Sequence, residues 1–126
     1  MQGINLKIIP HNEQRYPTVG DWWTDDNDIW QIRVSKLSDW RYEFLVFFHE
    51  VLEMAYCKWN NISQSDVDLF DIEYENNRKE GDISEPGDNK NAPYYLGHQI
   101  ANICEKIAAQ FLGVNWQEYD NEVVNL

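Results

Sequence analysis

Phe44-Leu45-Val46-Phe47-Phe48-His49-Glu50-Val51-Leu52-Glu53-Met54-Ala55-Tyr56-Cys57 is almost wholly apolar, and its exceptions are three ionisable side chains packed into five positions. The run is too long for a single strand, and Asp39, or Ser38 just before it, is a suitable N-cap, so the stretch predicts a long helix over roughly 40 to 58. At about 3.6 residues per turn, His49 and Glu53 lie one turn apart on one face, and Glu50 sits about 100° round from His49. A surface helix carries a polar stripe by default. Here the apolar flanks leave little solvated surface, and an unpaired buried charge costs several kcal/mol. A bound metal ion would offset that penalty; so would a buried hydrogen-bond network with Tyr42, Tyr94 or Arg41, which would make the fold catalytically inert.

Outward from this helix the pattern is mixed. Upstream, Ile4 to Ile9 alternates, with Ile4, Leu6 and Ile8 on one face of a half-buried strand that Pro10 ends. His11 to Asp28 is polar and broken by Pro17 and Gly20, a loop or hairpin with Trp22 and Trp23 folded back on the core. Ile29 to Val34 reads as another strand. Downstream, Ser63 or Ser65 can cap a helix over roughly 65 to 79, with Val67, Phe70, Tyr74 and Ile72 as its apolar positions. Residues 80–93 form a long acidic Gly/Pro loop, and long loops in compact domains are commonly functional. A third helix begins near Pro93 and runs to about Leu112, stopped by Gly113, with Ile100, Ile103, Cys104, Ile107, Ala108 and Phe111 on its apolar side. The tail, with Trp116 and Tyr119, is expected to pack. The expected architecture is α/β in the α+β sense: two or three N-terminal strands followed by three main helices, in one domain over 1–126.

Composition narrows the function classes. Twenty-two acidic against ten basic residues give a formal charge of −12, which disfavours direct nucleic-acid binding and attraction to an anionic membrane. No stretch approaches about 18 uninterrupted apolar residues, and Met1 to Lys7 lacks the basic start and apolar core of a signal peptide. Cys57 and Cys104 fall in helical patterns without a Cys-x-x-Cys arrangement, so reduced thiols and a cytoplasmic location are expected. Such acidity also suits a basic protein partner. The rival function is therefore an acidic protein that inhibits a host factor, as a nucleic-acid mimic, with Asp25, Asp26, Asp28, Glu73, Glu75, Glu80 and Asp82 forming its surface stripe.

The remaining histidine placed to help is His98, at the start of the third helix and directly after the acidic loop; His11, in a loop, is expected at the surface. Two helices packed side by side would bring His98 to His49 and Glu53, giving two imidazoles and one carboxylate with open positions for water. A divalent ion held there, zinc first, with manganese or iron also suited, would lower the pKa of water, and Glu50 would act as general base in a hydrolysis. Asp82, Glu85 and Asp88 could add a ligand or hydrogen-bond a ligating histidine. The loop lacks the ligand spacing of an EF-hand calcium site.

His49-Glu50-x-x-Glu53 resembles the His-Glu-x-x-His helix of the zincin metallopeptidases, with Glu53 in place of the second histidine. That resemblance covers five residues and implies a minimal zincin-like arrangement. A broader one links Tyr16-Pro17-Thr18-Val19-Gly20-Asp21-Trp22, the helix motif, Phe70-Asp71, Glu85-Pro86-Gly87-Asp88, Ala92-Pro93-Tyr94, His98 and Leu112-Gly113-Val114-Asn115-Trp116. This order is similar to that of a family of short uncharacterised phage and bacterial proteins. It implies a phage or prophage origin, with a host cytoplasm as the place of action, and no established activity.

Overall fold

Three strands followed by four helices make up the chain, in a computed structural model that describes all of residues 1–126. Strands β1 (Gly3–Ile9), β2 (Gly20–Thr24) and β3 (Ile29–Ser35) form one mixed sheet in the order β1-β3-β2. β1 runs parallel to β3, with Leu6 opposite Ile32 and Ile8 opposite Val34; β2 runs antiparallel, with Trp22 opposite Ile32. The expected loop or hairpin thus supplies an edge strand. Asp25 closes its turn by accepting hydrogen bonds from the backbone of Asn27 and Ile29 at 2.9 and 3.0 Å.

Period-two alternation separates the two tryptophans that were expected together on the core. Trp22 is buried, whereas Trp23 faces the other side of the sheet between the guanidinium groups of Arg15 and Arg33, 5.0 and 4.9 Å from its ring centre.

Helix α1 (Trp40–Trp59) starts at the predicted N-cap, where the Asp39 side chain accepts from the Arg41 backbone N–H. It lies across β2 and β3. Ile32, Leu45 and Met54 are fully buried at this junction, each contributing on the order of 1.5–3 kcal/mol from apolar burial. Because α1 does not extend over β1, Ile4, Leu6 and Ile8 stay exposed rather than half-buried. Helix α2 (Gln64–Asn76), capped by Ser63, ends three residues before the expected boundary. Ile72 on it is exposed, and Val67 is its buried apolar anchor. The tail forms a fourth helix, α4 (Trp116–Val124), capped by Asn115.

Helix α3 (Tyr95–Phe111) overturns one expectation. Its buried residues are Gly97, His98, Ala101, Glu105 and Ala109, whereas Ile100, Ile103, Ile107 and Phe111 are exposed. Small residues explain the rotation. A Cβ at Gly97 would lie 2.4 Å from the Tyr56 ring, so glycine there lets α3 approach α1 closely. The two helices run antiparallel: Gly97 meets Tyr56 near one end, and Arg41 donates to the Leu112 carbonyl at 3.2 Å near the other.

Candidate metal centre

The antiparallel pairing of α1 and α3 sets His49 and Glu53 opposite His98, the two histidine rings meeting edge to face at 4.8 Å. Three atoms converge. His49 Nε2 lies 3.2 Å from Glu53 Oε2 and 3.1 Å from His98 Nδ1, and His98 Nδ1 lies 3.0 Å from Glu53 Oε2. All three residues are buried. His49, Glu53 and His98 therefore form a group that could hold a metal ion, as does the more exposed set of Glu85, Asp88 and His98.

With Glu53 ionised, protons leave one edge of this triangle opposed. If both imidazoles are charged, two N–H groups can donate to Glu53, but they also face each other across the third edge. If one imidazole is neutral, its lone pair accepts from the other ring yet opposes the carboxylate. One cation facing three lone pairs serves every edge at once. The edges also suit an ion, since donors about 2.0–2.2 Å from a common ion stand roughly 2.8–3.1 Å apart in octahedral and about 3.3–3.6 Å apart in tetrahedral geometry, values that bracket those found.

Each member of the triangle is held from behind. His49 Nδ1 is 2.8 Å from Glu105 Oε2, and Tyr119 Oη donates to Glu105 Oε1 at 2.5 Å. Trp22 Nε1 donates to Glu53 Oε1 at 3.4 Å, leaving Oε2 for the triangle. His98 Nε2 sits 3.0 Å from Glu85 Oε2 and 3.3 Å from Asp88 Oδ1, close charge contacts whose angles fall outside hydrogen-bond geometry. A carboxylate behind each histidine is the arrangement that fixes a ligating imidazole's orientation and raises its basicity.

The acidic loop belongs to this construction. Pro86–Asp88 makes a single 3₁₀ turn closed by a capping box between Glu85 and Asp88, so the segment is not structureless. A Cβ at Gly87 would fall 2.3 Å from His98 Cγ; the turn lies directly on the imidazole. Asp82, the third acid considered there, turns away to Ser84 and Arg78.

Electrostatics follow from the crowding of charge. Burial alone would lower the His98 pKa, but the hydrogen bond to Glu53 and the close Glu85 carboxylate outweigh it and take the value up to about 10. His49 is likewise held well above the ordinary imidazole value, burial being overcome by Glu105 and Glu53. Burial would raise Glu53, yet the two histidines bring it down to about 2. Glu50 is pushed well above the carboxylate range by burial and by the neighbouring Glu53 charge.

Glu50 shares with the triangle a cavity of about 380 Å³. The Glu50 side chain lies against β2, where a Cβ on Gly20 would come within 2.6 Å of it, and its carboxylate makes no hydrogen bond. Farther along the wall, Asp71 accepts from Tyr94 and, at 3.2 Å, from Tyr16; burial raises Asp71 to about 7.

All three proposed ligands are thus brought together and Glu50 faces their cavity, whereas His11, also on the cavity wall, pairs with Ser35 at 2.9 Å rather than joining the triangle. The supporting network differs from the expected one. Arg41 is occupied by Asp39 and Tyr94 by Asp71, and the partners are Glu105, Tyr119 and Trp22. Glu105 could have been found, because it lies seven residues beyond His98, on the same helical face, as the lone acid of α3. Several acids of the expected mimic stripe have local work: Asp25 closes a turn and Glu75 pairs with Arg78 at 2.8 Å. Comparison of the chain with protein-family models, curated proteins and solved structures finds no match.

Proposed function

We propose that this chain binds a divalent metal ion through His49, Glu53 and His98 and uses the site for hydrolysis, with Glu50 as general base. The observation that carries the reading is the convergence of three buried potential ligand atoms, 3.0–3.2 Å apart, on one point. Zinc is the first choice, since three protein ligands of nitrogen and oxygen type with open positions suit a catalytic zinc site; manganese and iron(II) accept the same donors. The bound ion would supply Lewis acidity, drawing the pKa of water towards neutrality. Glu50, one residue on from a ligand and without a hydrogen-bond partner, takes the proton and returns it to the leaving group. Burial and the neighbouring Glu53 charge raise its affinity for a proton, which favours its taking one. Glu105, Glu85 and Asp88 hold the imidazoles, and the cavity receives the substrate. Free Cys57 and Cys104 suit a reducing cytoplasm, the compartment we assign, and no helix is long and apolar enough to cross a membrane.

Elemental analysis of purified protein tests the reading. Near-stoichiometric metal that His49→Ala and Glu53→Ala each abolish, and that Glu50→Gln retains while losing hydrolysis of ester and peptide probes, is the expected result. Protein that neither carries metal nor gains thermal stability from zinc, manganese or iron(II) would overturn it.

A further inference from the structure

Helix α3 carries His98 and Glu105 inward and an apolar stripe outward. Leu96, Ile100, Ile103, Ile107 and Phe111 are between 55% and 87% exposed. Their spacing of four, three, four and four keeps them on one side of the helix. On α1, packed antiparallel beside it, Trp40, Phe44 and Trp59 are also exposed, and Phe44 stacks on Phe48 with ring centres 6.1 Å apart. Single exposed apolar side chains are ordinary, but a patch of this size is not.

We propose that this face is the interface of a two-fold symmetric dimer, with a second copy of the chain laying its own α3 antiparallel across the stripe. Charge favours that occupant. The acids of α1 and α3 are Glu43, Glu50, Glu53 and Glu105; three are buried and Glu50 faces the metal-site cavity. The outward side of the pair therefore displays no carboxylate on a chain of net charge −12, and two copies meet there without setting carboxylate against carboxylate. An anionic membrane would have to accept the whole acidic body beside it.

Area and register agree with this occupant. The five α3 side chains expose roughly 700 Å² and the three α1 aromatics about 500 Å² more, against the ~800 Å² per partner of a standard interface. An antiparallel two-fold places Phe111 against Leu96 of the second copy and puts Ile103 beside the axis, so the same residues serve both partners. The site triangle faces the opposite side of α3, so the interface leaves the metal centre open.

Sedimentation velocity over about 1–100 µM is the test. The wild-type chain is expected at twice its 15.0 kDa mass. Ile103→Glu, which sets two carboxylates at the axis, should weaken association by at least about 100-fold. Phe111→Glu, at the exposed end of the helix, should act in the same direction without threatening the fold. Leu69→Glu, the same change at an exposed position on α2, should leave the dimer intact. A wild-type monomer at 100 µM would overturn the proposal, and one that co-sediments with phosphatidylserine vesicles would reassign the face to a membrane. A dimer that survives both α3 substitutions would equally refute it.

Discussion

Zinc added to the metal-free protein at pH 7 should release more than one proton per site. Ligation needs both imidazoles neutral, yet His98 is held at about 10, so it carries its proton at pH 7. Against burial, Glu105 and Glu53 hold His49 above its ordinary value, so it gives up more of a proton than a free imidazole would. Glu53, held down at about 2, has none to give. Two ordinary imidazoles with pKa values near 6.5 would together release only about half a proton at pH 7. Isothermal titration calorimetry in buffers of different ionisation enthalpy reads the number directly as a slope. Protons lost from Glu50 or from water on the ion can only add to the count. The apparent affinity should consequently rise with pH, by up to about 100-fold per unit while both imidazoles remain charged. Stability of the metal-free protein runs the other way. A histidine raised in the folded state contributes stability that is complete below about 6.5 and is lost as pH climbs through the folded value, here about 10 for His98. The melting temperatures of loaded and metal-free protein should therefore diverge between about pH 6 and 9. Release of half a proton or less, with an affinity flat across that range, would show that the histidines are not held charged by Glu53, Glu85 and Glu105.

Two substitutions probe the construction behind the ligands. Gly87→Ala places a Cβ 2.3 Å from the His98 ring, so the turn or the imidazole must move; metal affinity measured by chelator competition should fall by at least about tenfold, comparable to losing an orienting contact. Gly3→Ala, with nothing within 4 Å, should change nothing, and equal affinity in both variants would refute the role given to the turn. Glu105→Gln keeps the shape but removes the charge behind His49; affinity should drop about 10–100-fold while the circular dichroism spectrum is retained. Unchanged affinity would reduce Glu105 to a packing residue.

Much of this organisation is legible in the sequence where one local signal dominates. The apolar run from Phe44 to Cys57, with Asp39 ahead of it, specifies α1 and its cap, and the one-turn spacing of His49 and Glu53 places two candidate ligands on one face. Ser63 and Gly113 mark the boundaries they are expected to mark, the glycine at a φ of 67°. Less accessible was anything set by long-range contact. The antiparallel strand β2 depends on pairing with β3 rather than on its own short alternation. The exposure of Ile4, Leu6 and Ile8 depends on where α1 stops, which the alternation of β1 does not encode.

Helix α3 shows why periodicity alone misassigns a face. A hydrophobic stripe says which residues share a side, not which side turns inward. The usual rule sends the apolar stripe inward because polar groups left dry are costly, but here the polar stripe arrives with partners: Glu53 and Glu85 for His98, and His49 and Tyr119 for Glu105. Paired with opposite charge in this way, His98 and Glu105 are buried at a reduced penalty. Gly97, Ala101 and Ala109 then let the backbones approach, which large aliphatic side chains at those positions would prevent. The cost moves to Ile100, Ile103, Ile107 and Phe111, left in water on the far side. The convergence of three donor atoms and the exposure of the apolar stripe are thus two results of one rotation of α3. Turning the helix to bury the isoleucines would take His98 out of the triangle, so the centre and the uncovered face arise together.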